Sequence, residues 1–568
     1  MEESSDSRFG CVQRLIRLVK ARPQLTLVLL TLAALGPFIA KPFNIDDPLF
    51  LWAAKHIQAN PANPYGFNVN WYGTPMPMWE VTKNPPLACY YLAASASILG
   101  WSEMALHFAF LLPALLIVLG TYRLARQFCD QPLFAAVTTL FTPVFLVSST
   151  SIMCDVLMLT FFVWAVLFWV EGIAKRDHWR LIASAFLVTF AVYTKYFGAC
   201  LIPLLAVYGL MKERRVGFWL ISLLIPIAGL VAYQWITFRL YGKGLLTDAG
   251  DYATDTKFLR ISELPASTMT ALAFTGGCSA VATLLTPWLW RRRTAGLITL
   301  GMLILTLAGF AGSFWKRYYF LNSVSHGWLE LEVVFWSIGG VSVLGLALVD
   351  LWHRRDAESC LLALWVLGTF EFAGFLNWTV NGRSILPMAP AVAILLARRL
   401  SPILHADQKK FAPIAICSIA AAALALLVTL ADYDFAQTCR RSARETYDKY
   451  GHGTAGLWFT GHWGWQYYME QLGVKTANMT HPPPSNGLFL ALPTHNVNLM
   501  PLNEKIVHKH DVFAVNDGRL VSTMSGDIGA GFYSSIWGPV PFAFGNVPPE
   551  TVRIYVIDVP QAPATHQP

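Results

Sequence analysis

The chain of 568 residues is 55% hydrophobic and 14% aromatic but only 13% charged, against a charged share of roughly a quarter in soluble proteins, so lipid rather than water must solvate most of it. Its apolar residues come in blocks of roughly 15 to 24, long enough to cross about 30 Å of hydrocarbon as helices, and the absence of alternation excludes a β-barrel. The formal net charge of +8 is scattered through short loops between these blocks rather than gathered on one soluble face, which reads as topology signalling and excludes nucleic acid as a partner.

In chain order, residues 1–23 form a tail whose Arg8, Arg14, Arg17, Lys20 and Arg22 place it in the cytoplasm. The first apolar block is followed by Lys41-Pro42-Phe43 instead of a small-residue cleavage site, so it reads as an anchor that stays in the membrane. Blocks suited to spanning fall near 24–41, 103–122, 131–150, 155–172, 180–194, 197–211, 217–238, 266–290, 296–314, 330–350, 358–378, 384–397 and 411–431, about thirteen in all. Every second connection is basic, with Arg123 and Arg126, then Lys175, Arg176 and Arg180, then Lys212, Arg214 and Arg215, then Arg291 to Arg293, then Arg354 and Arg355, and last Arg398, Arg399, Lys409 and Lys410. Helix count and charge alternation therefore support each other.

The first outer loop, 42–102, is long, and it contains the apolar stretch Pro85 to Leu99, expected to form a helix lying at the membrane surface. An odd number of spans puts the tail, 432–568, on the outer side of the membrane. Its strand-like runs, Leu488 to Leu492, Asp511 to Val515 and Val552 to Val559, are divided by Pro, Gly and Asn, which predicts a water-soluble α/β or mainly β domain. Of nine cysteines only Cys439 lies in this tail, so no disulfide framework is expected there.

The expected outer face departs from the charge rule. It carries Lys55, Lys83, Lys195, Arg239, Lys243, Lys257, Arg260, Lys316, Arg317 and Arg383, which something anionic would explain. Carboxylates sit at helix mouths on the same face, Asp46 and Asp47 after the first span and Asp155 at the start of another, while Glu371 lies inside an apolar run. Each alone could cap a helix or decorate a loop. Together they mark a cavity, because ionisable groups at membrane depth are costly and acids beside cations suit proton abstraction next to a phosphate.

Four segments carry a resemblance: Asn44-Ile45-Asp46-Asp47, Lys83-Asn84-Pro85-Pro86-Leu87, Asp155-Val156-Leu157-Met158-Leu159 and Gly382-Arg383-Ser384-Ile385-Leu386-Pro387. In this order the chain resembles membrane glycosyltransferases of the GT-C fold, in the branch of the protein O-mannosyltransferases and lipid A aminoarabinose transferases. It departs from their pattern in Asp47 for the usual Glu, Asn84 for Lys or His, and Ser384 for Tyr. The resemblance implies a polytopic α-helical GT-C fold of about thirteen spans, and inverting transfer of a sugar from a polyprenyl-phosphate donor to a lipid, glycan or protein acceptor outside the cytoplasm. It assigns Asp46 as general base, with Asp47 and Asp155 as further catalytic acids, and Lys83, Lys195 and Arg383 as holders of the departing phosphate.

A bacterial inner membrane is the expected location, with membrane lipids as surroundings. His462, His508 and His510 lack the spacing of a four-ligand site, so no metal ligands are named, although a divalent cation could assist. The aromatic run Trp463, Trp465, Tyr467 and Tyr468 could stack on sugars or form core. A transporter or lipid flippase is the competing reading, and it requires discontinuous helices around a site at the bilayer midplane.

Overall fold

In the computed structural model of the chain the described residues are 21–256, 264–310, 318, 326–452, 456–478, 487–496, 499, 507–515 and 518–557. The expected cytoplasmic residues Arg8, Arg14, Arg17 and Lys20 and the expected outer cations Lys257, Arg260, Lys316 and Arg317 lie outside them.

Each of the apolar blocks contains helix, but fewer meet a membrane-crossing length than the sequence predicts. Among the described residues eight helices are long and apolar enough: Glu103–Phe128, Cys154–Lys175, Tyr196–Glu213, Phe218–Tyr241, Gly327–Arg354, Ala357–Leu376, Gly382–Ala406 and Gln408–Tyr450. Two bent pairs raise the number to ten, Pro132–Leu140 with Pro143–Ser149 at 58° and Leu264–Cys278 with Ala280–Leu289 at 91°. The first bend has a local cause. Thr142 takes an extended conformation and its hydroxyl accepts from Phe145 N at 3.3 Å, while Pro143 fills the first turn of the new helix. At the second, Ser279 leaves helical geometry and Thr283 Oγ1 donates to Gly276 O at 2.9 Å across the break. The first apolar block gives only the shorter helix Pro23–Phe38, and the block at 180 gives the 17-residue helix His178–Thr194.

Packing between helices relies on close approach. A Cβ on Gly276 would stand 1.8 Å from the carbonyl oxygen of Trp336, so the helices Leu264–Cys278 and His326–Arg354 touch backbone to backbone there. The stretch Pro85 to Leu99 is the 13-residue helix Leu87–Leu99, which packs beside the helix Asp47–Ala59.

The last long helix runs without a break from Phe411 to Tyr450. Its final turns support a mixed five-stranded sheet with the order Lys475–Thr476, Leu457–Phe459, Leu488–Pro493, Thr551–Ile557, Val507–Ala514. The first two strands are parallel and joined through the helix Trp463–Gln471, so this part is α/β. Ala443 on the long helix shares a core with Leu457, Phe459, Trp465 and Ile554. A second set of short strands from 519 to 547 packs against the ends of the membrane helices, where Phe544 N donates to Glu332 at 3.0 Å.

Candidate active site

Four of the residues singled out in the sequence reach their places by the alternating course of the helices. Asp46 follows the first helix, Asp155 lies in the first turn of Cys154–Lys175, Lys195 ends His178–Thr194, and Arg383 lies in the first turn of the helical segment that starts at Gly382. Up-and-down packing brings these positions to one end of the bundle. With Lys83 they line a single cavity of about 880 Å³. Trp463, Tyr533 and Trp537 from the C-terminal part form one of its walls.

The cavity charges are paired. Arg383 Nη1 lies 2.9 Å from Asp46 Oδ2, Lys195 Nζ lies 2.5 Å from Asp155 Oδ1, and Lys83 Nζ lies 2.6 Å from Asp248 Oδ2. Lys243 also binds Asp248, whose carboxyl is held below the usual carboxylate range because the hydrogen bonds and charges of Lys243 and Lys83 outweigh its desolvation. Asp248 was not singled out in the sequence. It sits in Thr247-Asp248-Ala249-Gly250-Asp251, an ordinary polar stretch until the fold sets it opposite Lys83.

Backbone geometry around Asp46 explains its availability. Asp46 occupies the N-cap position of Asp47–Ala59 yet makes no side-chain cap bond, and its carboxylate turns to Arg383. The preceding Ile45 has φ 51°, a left-handed conformation costly for a β-branched residue and concentrated at functional loops in proteins. The turn is pinned from the C-terminal part, with Gly464 N donating to Asn44 Oδ1 at 3.2 Å and Phe43 N donating to the Tyr468 hydroxyl at 2.9 Å.

Asp47 behaves differently from its neighbour. It is buried and does not line the cavity, and its two oxygens accept from the backbone N–H groups of Asn44 at 3.0 Å and Ile152 at 3.1 Å. Burial raises its pKa to about 7, with the two backbone bonds and Lys41 opposing. Asp47 thus ties the segment that follows the first helix to the turn that leads into Asp155. Asp155 Oδ2 and Arg383 Nε are both buried without a protein partner, and both side chains face the cavity.

The segment from 377 to 384 carries Arg383 on a rigid support. Asn381 caps its helix by accepting from Ser384 N at 2.8 Å. Gly382 N donates to Phe532 O at 2.7 Å, and a Cβ there would meet the Phe532 ring at 2.6 Å, so glycine lets the C-terminal part close over this edge. The π-helical turn Phe372–Leu376 also contributes Phe372 and Leu376 to the lining, in keeping with the frequent placement of such turns at functional sites. Glu371, just before it, is exposed and outside the lining.

Of the aromatic run, Trp463 lines the cavity and Trp465 is core. His462 is buried, stacks on Trp71 at 5.0 Å and has Nδ1 3.2 Å from Gln466 Oε1, and burial lowers its pKa to about 4. His508 and His510 are exposed on the strand Val507–Ala514. Lys41, Asp432 and Tyr533 were also missed in the sequence. Lys41 and Asp432 form a buried ion pair, and the Tyr533 hydroxyl donates to Asp432 Oδ2 at 2.9 Å. A separate apolar groove of about 550 Å³ beside Met211, Leu348 and Trp352 is lined by no acidic side chain.

A polytopic helical membrane protein with a strand-bearing C-terminal part and a cavity of paired acids and cations is the class these features define. Residues 83–236 match the family model described as dolichyl-phosphate-mannose-protein mannosyltransferase, of the GT-C group. The matched segment contains Lys83, Asp155 and Lys195, and it agrees there with the resemblance read from the motifs.

No curated protein matches the chain in sequence. Solved structures with a similar course include ArnT from Cupriavidus metallidurans bound to undecaprenyl phosphate, at 12% identity and a TM-score of 0.39, covering 96% of this chain and 99% of that one. The apo state of ArnT from Cupriavidus metallidurans gives 14% and 0.36, covering 85% and 86%. The arabinofuranosyltransferase AftD from Mycobacteria gives 14% and 0.36, covering 96% of this chain and 41% of that one. None of these likenesses is close enough to assign a site or a substrate.

Proposed function

We propose that the protein is an integral membrane glycosyltransferase that moves one sugar from a polyprenyl-phosphate carrier to a hydroxyl acceptor in the cell envelope, outside the cytoplasm and with inversion. The observation that carries this reading is the convergence of Asp46, Lys83, Asp155, Lys195 and Arg383, drawn from distant segments, on one cavity. The family match over 83–236 supports the lipid-phosphate donor class.

In this reading Asp46 takes the acceptor hydroxyl proton as the oxygen attacks the anomeric carbon, and the bond from that carbon to the carrier phosphate breaks. Arg383, already against Asp46, exchanges part of that contact for the leaving phosphate, where a fixed planar cation stabilises developing charge. Lys195 and Lys83 add positive charge on the same side, and Asp155, with one oxygen free of protein partners, orients the acceptor. The aromatic wall of Trp463 and Trp537 offers faces on which a sugar ring can stack.

The bent helices give the transporter reading one point of support. Their breaks, at Phe141, Thr142 and Ser279, are not among the cavity-lining residues, so the unwound backbone does not form the polar site.

Transfer of labelled sugar from synthetic polyprenyl-phosphate donors, by the full-length wild type and Asp46→Asn in lipid with extracted envelope lipids, glycans and proteins as acceptors, tests the proposal. Product is expected from the wild type, with a loss of about 100-fold or more in the variant at equal membrane insertion. Full activity in Asp46→Asn would remove the base assignment, and an inactive wild type across a broad donor panel would favour transport.

A further inference from the structure

We propose that Tyr533 is a positioning residue, holding the guanidinium of Arg383 against Asp46 through a tether anchored on the buried carboxylate of Asp432. The inference rests on the transferase reading of the cavity and adds to it a residue from a part of the chain that carries none of the four motifs.

Asp432 lies on the long last helix and is 1% exposed, and its partner Lys41 is 2% exposed. A buried ion pair is costly unless its remaining valences are filled. Here they are. Asp432 Oδ1 accepts from Thr523 Oγ1 at 2.7 Å, Oδ2 accepts from the Tyr533 hydroxyl at 2.9 Å and from Lys41, and Lys41 Nζ also donates to Thr150 Oγ1 at 3.2 Å. The carboxylate therefore joins the start of the first outer loop, the turn before Asp155, the last long helix and the C-terminal strands. Filled polar networks of this kind fix one arrangement.

Tyr533 is the member that reaches the cavity. With its hydroxyl held by Asp432, its ring faces Arg383, whose Cζ lies 5.6 Å from the ring centroid. The Nη1 of that guanidinium meets Asp46 at 2.9 Å and also donates to Met153 Sδ at 2.7 Å, and its Nε has no protein partner. The ring thus closes one face of a cation that must stay near Asp46 and still accept a phosphate. The neighbouring Phe532 carbonyl accepts from Gly382 N at 2.7 Å, so the backbones of the two residues are locked together as well. If the network served only to fasten the C-terminal part to the membrane helices, its loss would change how much protein folds and leave the folded enzyme's kinetics alone.

Two measurements on the full-length protein in lipid nanodiscs separate these roles. Thermal unfolding of wild type, Tyr533→Leu, Arg383→Ala and the double variant needs no substrate, with Tyr533→Phe replacing Tyr533→Leu if the latter does not fold. The double variant is expected to melt close to the worse single variant, and fully additive losses overturn the coupling. Transfer kinetics per folded molecule then test positioning. Tyr533→Phe keeps the ring and loses the bond to Asp432, so kcat should fall about fivefold with donor KM nearly unchanged. Tyr533→Leu also loses the ring face, and kcat should fall about tenfold further. Unchanged kcat in both variants, whatever their yield, would make Tyr533 a structural fastening and overturn the proposal. An inactive wild type would defeat the transferase reading, and the unfolding cycle would still decide whether Tyr533 holds Arg383.

Discussion

Arg383 and Asp46 face each other at 2.9 Å across the cavity, one from the start of a late membrane helix and the other from the turn after the first. Each neutralises the other at rest. An anion that draws on the guanidinium would therefore leave the carboxylate freer to take a proton, which in the proposed reaction would couple donor binding to base activation.

Arg383→Ala should lower kcat/KM for the lipid donor by about 100-fold, the scale set by removing a preorganised charge at a leaving group. Arg383→Lys keeps the charge but not the planar fork, and should fall between the two. Steady-state kinetics with donor and acceptor varied in turn checks this. An effect confined to the acceptor would end the phosphate assignment.

Lys195 and Asp155 form the most enclosed of the cavity pairs, with side-chain exposures of 19% and 3%. Lys195→Met leaves Asp155 buried without its cation, and should destabilise the protein by about 3 kcal/mol, while Asp155→Asn in the same chain restores part of the loss. Thermal unfolding of the single and double variants in one detergent reads both steps. A loss in the double variant equal to the sum of the two single losses would show that the pair is not coupled.

Asp47 carries a pH signature. Its folded pKa of about 7 stands above the ordinary 3.8, so between these values the folded state binds more protons than the unfolded one and stability falls as pH rises. Asp47→Asn should flatten that part of the melting-temperature profile from about pH 4 to pH 7. A profile identical to wild type would show that Asp47 does not titrate there.

His495 gives the opposite partnership in the C-terminal part, with Nε2 2.7 Å from Asp527 Oδ2 and Nδ1 2.8 Å from Glu550 Oε2. Burial disfavours its charge, but the bonds to Asp527 and Glu550 outweigh it and raise the pKa from 6.5 to about 10. Its stabilisation is complete below pH 6.5 and is lost as pH rises through about 10. His495→Gln should melt lower than wild type at pH 6 and lose most of that difference by about pH 10. A constant difference across this range would remove the charged imidazole from the account.

The site was legible in part because charge is conspicuous in an apolar chain. Lys83, Asp155, Lys195 and Arg383 interrupt or border hydrophobic blocks and stand out for that reason. Asp46 and Asp47 looked alike as neighbours, and only the turn at Ile45 separates them, sending one carboxylate to the cavity and the other onto backbone N–H groups. Asp248, Lys41, Asp432 and Tyr533 carry no local signal, since their importance lies in partners far along the chain. The count of thirteen stands beside eight to ten spans of crossing length among the described residues, because Thr142-Pro143 and Ser279 bend two blocks, the blocks at 24 and 180 give shorter helices, and the block 296–314 runs past the described residues.

What the sequence by itself determined is residence in the membrane, because apolar length and the need to satisfy backbone hydrogen bonds admit helices there. It also determined which side chains are too costly to be incidental. The tertiary structure decided which acid meets which cation, which of two adjacent aspartates reaches the cavity, and which C-terminal residues wall it. Periodicity along a chain specifies the face a residue occupies, whereas its partner depends on how distant helices and strands pack.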